Sequence, residues 1–413
     1  METNSQPNRG FLARAHTFLI YLGVIYISGI LLLLIPTVQT HFLYLHKVQN
    51  PVSPKFNSPQ RYGLAPYKAL DINISTSDNV RLGAWFVLSD SFFQHASQYR
   101  RPMRPFSEAD ISQSILGRPT VLFLHGNAAS RAAPYRVTCY STITSRLDAN
   151  VLAIDYRGFG NSEGVPSEVG LGKDARAAWD WLISHGAPPQ SILIVGHSLG
   201  TGVGTMLASE LVHEGKDNIS LRNACRVHPR GLTLVAPFTS ITMLAKTYTI
   251  FGGLPLLRPI TTFPFAFDFI LSFLNHKFDT ISRIPTVQAP ILLIHAEGDD
   301  TIPNSHARSL FDALLEPLLP PFPFTQSQML NPTAGDSAYW KQLQESTRAR
   351  SAARAEIVRE ETLEGFALTA EFQRPGDGGK VKHVEMKWGG HTKLVTAEGL
   401  VDLIGDFFNL TRF

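Results

Sequence analysis

Charge is scarce in this chain. Asp, Glu, Lys and Arg make up 17% of its 413 residues, against roughly 25% in ordinary soluble proteins. With 44% hydrophobic residues, that balance excludes an intrinsically disordered chain. Basic and acidic residues nearly cancel, 37 against 34, so no polybasic character marks a nucleic-acid partner. Cysteine is scarcer still. Cys139 and Cys225 are the only two, which excludes a disulfide scaffold and a cysteine-built metal site. Internal repeats and heptad arrays are also missing, so a solenoid or coiled coil is excluded. The length alone allows two or three domains.

The charge deficit is concentrated near the N-terminus. No Asp, Glu, Lys or Arg lies between Arg14 and Lys47, and Thr17 to Ile35 is almost wholly apolar. A helix over 17–40 would be roughly 36 Å long at 1.5 Å per residue, enough for a hydrocarbon core of about 30 Å. Tyr21, Tyr26, Phe42 and Tyr44 suit the interfaces, and Pro36 belongs near a helix end. The run is too long for a signal-peptide core and no small-residue cleavage site follows it, so it reads as a retained single span. Arg9 and Arg14 precede it closely, whereas Lys47, Lys55 and Arg61 follow at greater distance. That bias favours a cytosolic N-terminus and a luminal remainder. The sequons at Asn73, Asn218 and Asn409 are compatible with it.

The organisation expected is a tail over 1–16, a span over 17–40, a Pro-, Asn- and Ser-rich neck over 41–68, and a catalytic domain over 69–413. Strand candidates are 72–74, 80–88, 120–124, 150–155, 192–195, 232–235, 291–295 and 381–388. Helical patterns fall near 134–146, 169–184, 201–213, 304–315 and 394–408. Several strands are unbroken Val/Ile/Leu runs, as in parallel strands covered on both faces. The alternation predicts one large, mostly parallel eight-stranded α/β sheet. Three insertions interrupt it. Residues 89–117 read as a polar loop, with Arg100, Arg101 and Arg104 solvated. Residues 238–289 are aromatic, with Phe251, Phe263, Phe265, Phe267, Phe269 and Phe273. Residues 316–380 run from a Pro-rich stretch into Arg/Glu-rich sequence. Within it, alternation at Phe366, Leu368, Ala370 and Phe372, then Pro375 to Gly379, predicts an extra strand in a hairpin with 381–388.

The sharpest chemical signal is Gly196-His197-Ser198-Leu199-Gly200, between an apolar strand and a helical stretch. Strand, tight turn and helix are the context in which a G-x-S-x-G turn presents a nucleophile. A serine hydroxyl needs a base, and the base needs an orienting carboxylate. In this architecture the acid and then the histidine follow the serine. Asp299 follows one strand in His295-Ala296-Glu297-Gly298-Asp299, and His391 follows the last in Trp388-Gly389-Gly390-His391. Asp299 is preferred to Asp300 and Glu297 by its place in the turn, and His391 to the strand residue His383 by its loop context. The backbone N–H groups of Leu199 and Asn127 are the expected oxyanion donors. His125 reads as a brace and His197 as a packing residue. The glycines at 200–204 and 158–164 lack dinucleotide or phosphate-loop spacing and read as structural. No metal or cofactor is expected. Phe238, Phe263, Phe265 and Phe267 either line an acyl-chain pocket or pack the core of a cap.

Leu124-His125-Gly126-Asn127-Ala128, Asp155-Tyr156-Arg157-Gly158-Phe159-Gly160 and Gly196-His197-Ser198-Leu199-Gly200-Thr201-Gly202 resemble the α/β-hydrolase fold. More narrowly, with Ala236-Pro237-Phe238-Thr239-Ser240-Ile241 and His295 to Asp299, the chain is similar to membrane-anchored abhydrolase-domain lipases acting on monoacylglycerols and lysophosphatidylserine. The resemblance spans roughly 70–315 and 381–411. It implies Ser198, Asp299 and His391 as a triad, an endoplasmic-reticulum anchor, a luminal catalytic domain, and a membrane and single-chain acyl lipid as partners. The insertion 316–380 is longer than the corresponding link in that group. Depalmitoylases and peptidase-like hydrolases share the elbow, so an acyl-protein thioesterase or peptidase is the alternative, and an inert membrane-tethered scaffold the rival from another class. The sequence identifies no protein partner.

Overall fold

The computed structural model describes residues 10–99, 105–217, 228–247, 258–324, 328 and 337–410. Its N-terminal helix α1 covers Phe11–Leu32, and nearly all of its apolar side chains face outward. By length and composition it can cross a membrane. The expected single helix over 17–40 is in fact two. Pro36 lacks an N–H and starts a second helix, α2, at Pro36–Tyr44, which ends on Leu45 in a left-handed conformation.

The sheet contains ten strands among the described residues: β1 Ala69–Ser75, β2 Arg81–Val87, β3 Thr120–Leu124, β4 Asn150–Ile154, β5 Ile192–His197, β6 Gly231–Val235, β7 Ile291–Ala296, β8 Arg359–Leu363, β9 Ala367–Gln373 and β10 Lys380–Met386. Their order is β1-β2-β4-β3-β5-β6-β7-β10-β9-β8. The run from β4 to β10 is parallel, and antiparallel pairs close both ends. The hairpin of β9 with β10 is present as expected, pairing Phe372 with Val381. The sheet exceeds the expected eight strands by two: β9, foreseen as the extra hairpin strand, and β8, whose Arg359, Glu360 and Glu361 lie in the Arg/Glu-rich sequence and show no apolar alternation. These charges sit on an exposed edge, where they discourage pairing with another chain.

Every residue of β3, β4, β5, β6 and β7 is buried, which accounts for their unbroken apolar runs. One face of the sheet packs Leu122, Leu124, Ile194 and Leu232 against Trp179, Val203, Leu207 and Phe278. The other packs Val121, Phe123, Leu193 and Ile294 against Tyr140, Leu400 and Ile404.

The covering helices are α3 Asp90–Tyr99, α4 Glu108–Ile115, α5 Pro134–Arg146, α6 Glu168–Ser184, α7 Leu199–Asp217, α8 Ile241–Thr247, α9 Arg258–Thr261, α10 Pro264–Ser272, α11 Thr280–Arg283 and α12 Ser305–Leu315, followed by helices at Ser337–Ile357 and Glu398–Phe407. The insertion 89–117, expected as a loop, contains α3 and α4. Ser107 and Asp110 form a capping box that starts α4, and Ile111 and Ile115 anchor it in the core. Arg100, Arg101, Arg104, Phe251 and the Asn218 sequon lie outside the described residues.

Candidate active site

The side chains that sequence spacing singled out converge at the carboxyl edge of the parallel strands, where α/β sheets place their sites. Ser198 follows β5 with φ +51°, a left-handed conformation costly for a residue with a Cβ. Its N–H donates to the carbonyl of Val235 at 2.9 Å, pinning the elbow to the end of β6. The turn closes tightly because both flanking positions lack a side chain. A Cβ at Gly200 would lie 1.9 Å from the carbonyl oxygen of Leu124, and one at Gly196 2.3 Å from that of Gly200. Ser198 itself is 8% exposed.

His391 lies in a one-turn helix after β10, reached through Gly389 and Gly390 at φ +134° and +68°. Its Nε2 is 2.9 Å from Ser198 Oγ, and its Nδ1 2.8 Å from Asp299 Oδ2. Ser198 Oγ–H donates to His391, and His391 Nδ1–H donates to Asp299. Asp299 Oδ1 accepts from the amides of Thr301 and Ile302, each at 2.9 Å. Burial pushes the Asp299 carboxyl upward, but His295, His391 and the Ile302 amide more than offset it and hold it well below the usual carboxylate range. Asp299 is thus the carboxylate that meets the imidazole. His383 is buried in β10 against Phe311.

His197 does more than pack. Its ring lies 5.3 Å from that of His391, and its Nε2–H donates to the His391 carbonyl at 3.0 Å. Burial, and then the neighbouring His391, push its pKa down to about 3, so it stays a neutral donor.

Gly126 and Asn127 lie beside the serine; a Cβ on Gly126 would come within 3.1 Å of Ser198 Cβ. The N–H groups of Asn127 and Leu199 donate to no backbone carbonyl among the described residues. His125 braces this turn as expected. Its Nδ1 is 2.6 Å from the Gly126 carbonyl, and Tyr156 Oη–H donates to the His125 carbonyl at 3.0 Å.

Arg136 was not among the expected site residues. Fully buried, it donates through Nη2 to the carbonyls of Gly126, Asn127 and Ala128 at 3.0, 3.2 and 3.0 Å, and through Nη1 to Ser130 at 2.9 Å. With those carbonyls turned toward the guanidinium, the conformation of the turn is fixed. The sequence carried one signal for it: a cation in the first turn of α5, where the helix dipole opposes positive charge.

The aromatic insertion divides. Phe238 is buried against Phe278 beside Gly202, and Phe267 is buried in α10. Phe263 and Phe265 point outward, Phe265 being 94% exposed. The glycines of 200–204 pack α7 on the sheet, Gly204 meeting Ile194 and Leu232.

A parallel sheet of this order, with a strained serine elbow after β5 and an Asp and a His beyond β7 and β10, has the architecture of an α/β hydrolase. The family model described as "Alpha/beta hydrolase family" (Abhydrolase_6) matches residues 121–326. The lysophosphatidylserine lipase ABHD12 of Xenopus tropicalis is 30% identical over 312 residues, covering 73% of this chain and 72% of that protein. Its Danio rerio counterpart is 29% identical over 304 residues, with 73% of each chain covered. Protein ABHD12B of Homo sapiens is 32% identical over 200 residues, covering 48% of this chain and 50% of its own. Among solved structures, an alpha-beta hydrolase from Vibrio vulnificus aligns with 68% of this chain and 83% of its own at 18% identity and a TM-score of 0.48. The chain belongs to the alpha/beta hydrolase family, within the group that includes the lysophosphatidylserine lipases ABHD12.

Proposed function

We propose that this protein is a membrane-anchored serine hydrolase that cleaves the acyl ester of a single-chain lipid, a lysophospholipid or monoacylglycerol, through an acyl-enzyme. The observation that carries this reading is the unbroken relay from Ser198 Oγ to His391 Nε2 and from His391 Nδ1 to Asp299 Oδ2, at 2.9 and 2.8 Å. Ser198 Oγ attacks the ester carbonyl as His391 Nε2 takes its proton. Asp299, kept ionised, orients the imidazole and stabilises the imidazolium. The N–H groups of Leu199 and Asn127 receive the oxyanion, a donor typically contributing about 3 kcal/mol to the transition state. His391 then protonates the leaving alcohol and activates the water that releases the fatty acid.

The substrate class is supported from two sides. Helix α1 is long and apolar enough to hold the enzyme where lipids partition, and the relatives are named lysophosphatidylserine lipases. Arg9, ahead of the helix in sequence, and Arg14, in its first turn, support a luminal catalytic domain in the endoplasmic reticulum. Asn73 in β1 is exposed, and an endoglycosidase-sensitive mass shift lost in Asn73→Gln would place that surface in the lumen; a chain glycosylated at none of its sequons and cleaved by protease added outside sealed microsomes would overturn this orientation.

The activity is tested by turnover of purified protein on lysophosphatidylserine, other lysophospholipids, monoacylglycerol, an S-acyl peptide and an aminoacyl ester. The two lipid esters should lead, and Ser198→Ala should abolish their turnover. A preference for the S-acyl peptide would instead favour a thioesterase.

A further inference from the structure

Helix α10 is apolar on all sides, its sequence Pro264 to Ser272 carrying Asp268 as its single charge. A helix of that kind ordinarily sits inside a core. Here one side does so: Phe267 and Leu271 are buried, and Leu274 packs against the main core. The opposite side carries Phe265, Phe269 and Phe273 at four-residue spacing, one above another, and all three are exposed. Phe269 and Phe273 meet edge to face with ring centroids 5.1 Å apart. Phe263, just before the helix, is exposed as well.

The position of this surface says what covers it. Gln39 of α2 is buried; its side-chain amide donates to the Phe273 carbonyl at 2.9 Å and accepts from the Asn275 amide at 3.2 Å. These two bonds hold the end of the 264–275 segment against α2, directly after the apolar helix α1. The phenylalanine row therefore ends beside the foot of the apolar N-terminal segment, whose Ile25, Ile27, Leu31 and Ile35 are likewise exposed.

We propose that α10 is a second membrane contact: it lies in the surface of the bilayer that α1 crosses, with Phe265, Phe269 and Phe273 among the acyl chains. Interfacial helices of this kind bury their apolar side roughly 5–10 Å into the headgroup boundary. Asp268 and Lys246 stay at the polar level, Lys246 with its ammonium 5.8 Å from the Phe267 ring. The cap of the catalytic domain would then sit on the lipid surface, and a lipid substrate would reach the serine without crossing bulk water. The inference rests on reading α1 as the membrane span.

The test is nitroxide accessibility on the full chain in phosphatidylcholine vesicles. In a Cys139→Ala/Cys225→Ser background, single cysteines replace Phe265, Phe269, Ile25 as span reference and Leu368 on β9 as water reference. Fluorophosphonate labelling confirms that each variant is folded. The expected result is a ratio of oxygen to nickel-chelate collision at 265 and 269 at least five-fold above that at 368 and close to that at 25. Water-like values at 265 and 269 with a lipid-like 25 would overturn the docking and leave the span standing. Water-like values at 25 as well would overturn both. Low collision with both reagents at 265 and 269 would mean that protein covers the row, and would also overturn the proposal.

Discussion

The amide of Ala128, in the turn beside Ser198, donates to the carbonyl of Tyr44 at 2.9 Å, and that of Ala129 to Val48 at 2.8 Å. Both alanines are left-handed, at φ +55° and +53°. The segment that follows α2 is therefore no free linker. It straps the turn whose Asn127 amide is the proposed oxyanion donor, and so ties the apolar N-terminal segment to the chemistry.

Tyr44 anchors that strap, its ring fully buried among Phe159, His276 and Phe278. Tyr44→Ala should cost about 3–5 kcal/mol of stability and lower kcat by more than the unfolded fraction explains. Tyr44→Phe should leave kcat unchanged and stability equal or higher, since the buried hydroxyl has no hydrogen-bond partner among the described residues. Chemical denaturation and turnover of both variants check the pair.

Arg136 is the second support of the turn. Arg136→Met leaves four carbonyls without their donor, at about 3 kcal/mol of stability. If the turn holds the oxyanion donor, kcat should fall roughly 10- to 100-fold while KM changes little, because the loss acts on the transition state. Equal loss in kcat and in folded protein would assign Arg136 to stability alone.

Asp299→Asn keeps the shape of the acid but presents an amide to His391 Nδ1. The imidazole then adopts the tautomer with Nε2–H, which cannot accept the serine proton. A kcat reduction of about 10⁴-fold is expected, with the protein folded by circular dichroism. Asp300→Asn, altering the exposed neighbour, should stay within about two-fold of the wild type.

Stability should fall in mild acid because several histidines are buried neutral. Burial pushes His383 and His306 down to about 4 and His197 to about 3. Between the ordinary histidine value of about 6.5 and these values, the unfolded chain holds protons that the folded chain does not. Stability is then complete above pH 6.5 and declines as the pH falls toward 4. His383→Leu should flatten this slope by up to about 1.4 kcal/mol per pH unit, measured by urea unfolding in detergent at pH 7, 6 and 5.

The legible parts of this molecule were those governed by local periodicity and by chain order. Unbroken apolar runs gave the parallel strands because both faces are covered. Strand, G-x-S-x-G turn and helix placed Ser198, and the order of acid and histidine placed Asp299 and His391 beside it. The rest depended on tertiary partners. Strand β8 was hidden because Arg359-Glu360-Glu361 has no apolar alternation; the pairing of Thr362 with Leu368 and its neighbours defines it. The role of His197 comes from the His391 carbonyl, 194 residues away, and that of Arg136 from a turn six to ten residues before it whose carbonyls face the guanidinium only once the turn is folded. Composition registered the phenylalanines of α10, but it was silent on which of them face outward.

The most direct test of the account is the mass of the Ser198-bearing peptide after acid quenching of the purified protein during turnover of a lysophospholipid. An acyl ester on Ser198, absent in Ser198→Ala together with turnover, is the result expected. Undiminished turnover by Ser198→Ala, or an acyl group carried elsewhere, would contradict it.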